Sequence, residues 1–256
     1  MNVTKYVLWV GLVAWLAPVV SMAQITDKQV NTQSQSWVSL NSTQRFTNKW
    51  GIVADVHYRA NHLFTDPNFY FARLGVNYWL KDNITFTLGY AHLWLAPSKV
   101  GNHTYANENR LYQQAQMTSK IGKINVLQRL RNEQRWQEKI DAKGDTSLHA
   151  NKFTNRVRYL LSYTIPLFRN PHYPSLVLAD ELCIQFGKEV LINTFEQNRV
   201  FVGIRQPINK HLAFDLGYML LYQEKASTTK TVVYDNNQTF RWFFYYTPDF
   251  RHKKKA

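Results

Sequence analysis

Apolar and polar residues alternate along most of this chain, and arginine dominates the polar positions. The clearest run is Arg129-Leu130-Arg131-Asn132-Glu133-Gln134-Arg135. A strand points successive side chains to opposite faces, so Arg129, Arg131, Glu133 and Arg135 share one face. Trp50, Ile52, Ala54, Val56 and Tyr58 form an apolar row, with Asp55, His57 and Arg59 between them. Tyr70 to Leu80 repeats it with Arg73 and Asn77 on the polar parity, and Ile84 to Tyr90 with Thr85, Thr87 and Gly89. Further along, Glu108, Arg110, Gln114 and Gln116 oppose Leu111, Ala115 and Met117, while Arg156 and Arg158 oppose Val157, Tyr159, Leu161 and Tyr163. Glu181, Cys183 and Gln185 alternate with Leu182, Ile184 and Phe186; Gln197, Arg199 and Arg205 oppose Val200, Val202 and Ile204. Asp215 lies within Leu212 to Tyr222, and Arg241 faces away from Phe240, Trp242, Phe244 and Tyr246. Each segment is about ten residues long, the length of a tilted transmembrane strand. Apolar-out, polar-in alternation over many such segments is the signature of an outer-membrane barrel. The pattern therefore predicts an all-β, antiparallel transmembrane β-barrel of about 10–12 strands.

The connections sharpen this expectation. Short ones fall near Asn48, Asp82, Gly122 and Asn209; long ones near His62, Ala96 to Asn107, Glu138 to Asn151 and Glu224 to Asn236. Short periplasmic turns and long outer loops are the expected asymmetry, which places ten strands between Trp50 and Tyr246 and both termini in the periplasm. Trp37-Val38-Ser39-Leu40 is open: an extra strand, one of a pair making twelve, or a lead-in. Asp180 falls on the lipid parity, and a β-bulge there would re-aim it. Tyr and Trp at strand ends, among them Trp50, Tyr58, Tyr78, Trp94, Trp136, Tyr163, Tyr222 and Tyr246, suit interfacial girdles. The rival reading is a soluble barrel or sandwich with an aromatic core, which would have to expose eleven arginines on one parity while hardly a lysine joins them.

Residues 1–23 have the form of a secretory signal peptide: Lys5, an apolar run from Tyr6 to Val20, then Ser21-Met22-Ala23. Residues 24–48 are then a lead-in with a candidate strand, 49–247 the barrel and 248–256 a basic, disordered periplasmic tail. Losing Lys5 changes the net charge from +14 to +13. A nucleic-acid partner is not expected, because lysines lie in turns, loops and the tail while arginines lie mid-strand; a binder would mix them on one patch. Cys183 is the lone cysteine, expected to be an inert inward thiol.

The candidate site is the inward charge set. It comprises Arg59, Arg73, Arg110, Arg129, Arg131, Arg135, Arg156, Arg158, Arg199, Arg205 and Arg241, against Asp55, Glu108, Glu133, Glu181 and Asp215. One reading is an ion-pair network filling a narrow lumen in a non-catalytic scaffold or envelope component, since the guanidinium fork pairs carboxylates and tolerates partial burial. The alternative is a narrow anion-selective, porin-like channel, since rings of arginine favour anions. A third is a barrel hydrolase acting on lipid or peptide. His57 is the one mid-strand inward histidine, without a serine on its strand, and His62, His92 and His103 match no metal or triad spacing. No cofactor, metal or catalytic residue is therefore assigned. The implied partners are outer-membrane lipid, the outer-membrane insertion machinery and a small anionic solute.

Several stretches carry a resemblance. They are Trp50 to Arg59, Glu108-Asn109-Arg110 with Gln113-Gln114, Arg129 to Arg135, Asn155 to Tyr159, Asp180-Glu181, Gln197-Asn198-Arg199 and Leu216 to Met219. In this order they resemble the domain-of-unknown-function family numbered 2490, regarded as outer-membrane barrels of diderm bacteria. The resemblance implies the barrel and its compartment, and no activity.

Overall fold

The computed structural model describes residues 27–97, 101–190, 194–227 and 231–251. The signal peptide expected over 1–23 and the tail end 252–256 lie outside the described residues. Eleven strands form a closed barrel in chain order: β1 (Asp27–Arg45), β2 (Trp50–Asn61), β3 (Asp66–Lys81), β4 (Ile84–Leu95), β5 (Ala106–Ile121), β6 (Ile124–Ile140), β7 (Ser147–Pro166), β8 (Ser175–Phe186), β9 (Phe195–Pro207), β10 (Leu212–Ser227) and β11 (Thr231–Tyr246). Neighbours are antiparallel, except that β1 closes the barrel parallel to β11, from Asp27 opposite Thr231 to Ser42 opposite Tyr246. An odd number of up-and-down strands forces one parallel pair.

The ten strands from Trp50 to Tyr246 are as the pattern predicts, and the undecided Trp37 segment is the middle of an eleventh. The count of eleven lies within the expected 10–12, with the Trp37 segment as the extra strand. The odd count corrects the placement of the ends. Asp27 lies at the rim bearing the 96–105 and 141–146 connections, and Tyr246 at the opposite rim, with the turns at 82–83 and 122–123. We call these the far and near rims. The expected loop asymmetry is also redrawn. The β2–β3 connection at the far rim is only 62–65, whereas 167–174 at the near rim is longer. The regions expected as loops at Glu138 to Asn151 and Glu224 to Asn236 are mostly strand. The longest strands are β7 and β1, of 20 and 19 residues, and β1 runs beyond its pairing with β2, which starts at Gln35, toward the far rim.

Facing follows the alternation. Leu88, Leu74, Val56 and Leu130 are 62%, 59%, 54% and 52% exposed on the outer wall, while the arginine parity lines the interior. A soluble barrel inverts this arrangement, keeping apolar residues inside. Ring pairs cluster towards the rims, as in Trp50–Tyr78 at 5.0 Å and Trp136–Phe153 at 5.3 Å. The outer wall is not wholly apolar. Across β5 to β9 it carries Gln113, Asn132 and Gln134, whose amides bond one another at 3.0 to 3.3 Å. Gln128 accepts from Tyr159 at 2.8 Å, and Asp180 from Asn198 at 2.6 Å. These mutual bonds offset the cost of polar groups on an otherwise apolar wall. Asp180 sits in unbroken register with Leu161 and Val200, so no bulge re-aims it.

Two inward glycine pairs shape the wall. Gly75 faces Gly89 beneath Tyr112, where a Cβ on either would come within 2.5 Å of the ring or its hydroxyl. Gly203 faces Gly217 beneath Phe201, where a Cβ would come within 2.5 and 3.0 Å of the ring, respectively. Their missing side chains let each ring lie flat over the neighbouring strands. The tail is partly pinned, correcting the expectation of a disordered extension from 248. The Arg45 N–H donates to Pro248 at 3.2 Å, that of Phe250 donates to Arg45 at 2.8 Å, and the Phe250 ring stacks on Phe46 at 5.7 Å.

Candidate functional site

The lumenal charge set is built from strand period and register. Positions 129, 131, 133 and 135 of β6 project inward together, and β7 sets Arg158 opposite Arg131 and Arg156 opposite Glu133. Like charges directly opposite are unfavourable. The lattice resolves this by bonding around the pair. Glu133, 3% exposed, accepts from Arg158 at 2.9 Å and from both Nε (2.7 Å) and Nη2 of Arg156. Arg131 and Arg110 stand at 3.7 and 3.9 Å from it. Arg131 instead donates to Gln114 through Nε at 2.9 Å.

Glu181 on β8 is a second hub. It accepts from Arg129 at 2.6 Å, and from Arg158 and Arg199 at 2.8 Å each. Arg158 thus joins the two hubs. Three smaller groups complete the set: Arg73 with Asp55, Arg110 with Glu108 at 2.5 Å, and Arg205 forked onto Asp215 at 2.6 and 2.8 Å. Arg241 stands 3.9 Å from Asp215. Of the eleven expected arginines, Arg59 alone has no carboxylate within ion-pair distance among the described residues.

The strand pattern misses an acid of the arginine lattice. Glu196 is one residue from Gln197, so simple alternation turns it outward. A bulge opposite Cys183 and Ile184, which pair with Gln197 and Phe195, leaves Glu196 as the extra residue. One inserted residue changes the facing of its side chain. Glu196 thereby accepts from Arg135 at 2.6 Å and from Arg156 at 3.1 Å. Nothing local in the sequence signals the bulge, which exists only against β8. Glu196 brings the acids paired within the arginine lattice to six against eleven arginines.

Inward aromatics are the other omission. Trp37, Phe69, Phe71, Tyr112, Phe201 and Phe243 line the lumen. Phe69-Tyr70-Phe71 and Phe243-Phe244-Tyr245-Tyr246 are continuous aromatic runs, where alternation carries no contrast. Tyr112 holds the guanidinium groups of Arg73 and Arg131 at 5.3 and 5.0 Å from its ring centroid. The histidines stay apart. His57 is inside the barrel, His62 pairs with Asp66 at 2.6 Å in the β2–β3 loop, and His92 bonds Asn109 at 2.8 Å on the outer wall. Cys183 is free and fully buried.

A closed β-barrel, largely apolar outside and lined within by an arginine–carboxylate lattice, is the class these features define. The family model "Protein of unknown function (DUF2490)" matches residues 34–232, and the chain belongs to that family. No curated protein and no solved structure matches it.

Proposed function

We propose that this protein is an integral outer-membrane β-barrel whose ion-paired lumen is closed at mid-height. It would serve as a non-catalytic structural component of the envelope. The apolar outer wall, with Leu, Val and ring side chains facing out, suits lipid contact. Lipid of the outer membrane and the machinery that inserts barrels there are the partners this reading implies.

The observation that carries the closed lumen is the set of ion pairs between strands that are not neighbours. Arg129 on β6 reaches Glu181 on β8, and Arg135 on β6 reaches Glu196 on β9. Arg156 on β7 also reaches Glu196, while Arg199 on β9 lies 5.1 Å over the Trp37 ring on β1. Such contacts are chords across a curved wall. Side chains making them leave the wall and occupy the interior. Eleven strands lie between the small barrels that side chains fill and the large porins that stay open.

The test joins placement to conductance. The mature protein should fractionate with the outer membrane and show heat-modifiable migration, because a closed strand ladder persists in detergent until boiled. In a planar bilayer it should give no steady current. Recovery from the soluble periplasm would end the membrane reading. A steady, anion-selective current would favour the channel reading instead, for which the surplus of guanidinium groups speaks.

A further inference from the structure

The carboxylates are unevenly spread around the lumen. Glu108, Glu133, Glu181 and Glu196 lie on β5 to β9, where the lattice is dense. Across β11, β1, β2 and β3 runs a row of another kind. Trp37 stands in register between Arg241 and Arg59, and Arg59 faces Phe69 on its other side. Cation and ring alternate along the row.

Rings, more than carboxylates, hold these two cations. The Arg59 guanidinium lies 3.4 Å from the Trp37 ring centroid and 4.5 Å from that of Phe69. That of Arg241 lies 4.2 Å from Phe201 and 4.1 Å from Phe243. Stacking on rings leaves the N–H edge of the Arg59 guanidinium available to fork onto an oxyanion, while Arg241 commits Nη2 to Tyr245. Beside the row, His57 stands edge-on to Phe71 and Phe243 at 4.8 and 5.5 Å. Both imidazole nitrogens, and Nε of Arg59 and of Arg241, are buried with no hydrogen-bond partner. A neutral imidazole always carries one N–H donor. The nearby acids are engaged, Asp55 with Arg73 and Asp215 with the Arg205 fork; Arg241 stands 3.9 Å from Asp215 and donates through Nη2 to the Tyr245 hydroxyl at 3.0 Å, so Arg59 is the cation left with no carboxylate in reach. All of these side chains border one cavity of about 1320 Å³.

Buried donors and buried cations are stable where a counter-charge satisfies them. We propose that the face formed by Trp37, His57, Arg59 and Arg241 is a binding site for a small oxyanion, a carboxylate or phosphate group on a small solute. Arg59 and Arg241 would fork onto its oxygens, His57 would donate one hydrogen bond, and the rings would take any apolar part. The inference shares with the closed-lumen reading only the inward facing of the arginines.

The test uses the full mature barrel in detergent micelles. Inorganic phosphate and acetate are titrated at constant ionic strength set with chloride, and followed by calorimetry and by the shift in thermal unfolding. Wild type should respond saturably to at least one of them; which one distinguishes the two chemistries. Arg59→Gln should weaken binding about tenfold or more, the loss expected for one charge-assisted contact. His57→Phe keeps the ring contacts and should weaken it several-fold, which decides the matter if Arg59→Gln does not fold. Arg169→Gln, in the exposed 167–174 loop, should bind like wild type. No saturable response from wild type overturns the site. So does affinity within about twofold of wild type in the folded variants at positions 57 and 59. A conducting barrel that still binds through Arg59 would refute the closed lumen and keep the site; a silent barrel without binding would do the reverse.

Discussion

Glu133→Gln tests whether the lattice is dry. In the structure the Glu133 carboxylate bonds Arg156 and Arg158, with Arg131 and Arg110 at 3.7 and 3.9 Å. The amide removes the charge and turns an N–H donor group toward four guanidinium groups. Breaking one side of a buried ion pair costs about 3–5 kcal/mol, whereas a solvated pair contributes about 0–1 kcal/mol. Three of the four keep other carboxylates: Arg156 retains Glu196, Arg158 retains Glu181 and Arg110 retains Glu108. Arg131 retains the Gln114 carbonyl and the Tyr112 ring but no carboxylate. The expected loss is therefore near the lower bound, about 3 kcal/mol. Urea unfolding from lipid vesicles reads it directly, alongside planar-bilayer current. In a dry lattice the loss should persist in high salt, because buried pairs are little screened. Unchanged stability, together with a current that becomes more anion-selective as one wall carboxylate disappears, would refute the closed lumen.

Three further perturbations probe other parts of the fold. Leu88→Arg and Leu216→Arg, on the outer wall, should each cost about 2–4 kcal/mol near the bilayer midplane; Gln116→Arg, which borders the lumen, should insert normally. Equal damage in a vesicle-insertion assay would mean the facing is wrong. Glu196→Gln should destabilise by about 3 kcal/mol, since Arg135 and Arg156 both bond it; an effect of a surface residue's size would show that the bulge does not turn it inward. Phe250→Ala should free the pinned tail from Phe46, so that limited proteolysis trims it faster while heat-modifiable migration is unchanged. Trimming at the wild-type rate would show that this stacking does not hold the tail.

Facing was legible in the sequence because it is a local property. A strand turns alternate side chains to opposite sides wherever it lies, so Arg129, Arg131, Glu133 and Arg135 declare a shared face without knowledge of any partner strand. Contrast is what makes the alternation readable. It fails at Phe69-Tyr70-Phe71 and Phe243-Phe244, where both parities are aromatic, and there the inward rings went unseen. Everything that depends on a second strand belonged to the tertiary structure. The count of eleven was settled by the pairing of β1 with both β2 and β11, which also sends the two ends of the barrel to opposite rims. Glu196 reaches Arg135 and Arg156 because one residue bulges against β8, and a bulge is defined only by its partner. The chords from Arg129 to Glu181 and from Arg135 to Glu196 depend on how tightly the sheet curves, and no single strand encodes that. Parity placed the arginines inside; closure decided which carboxylates they meet, and left Arg59 among rings instead, because the acids of its sector already pair with Arg73 and Arg205.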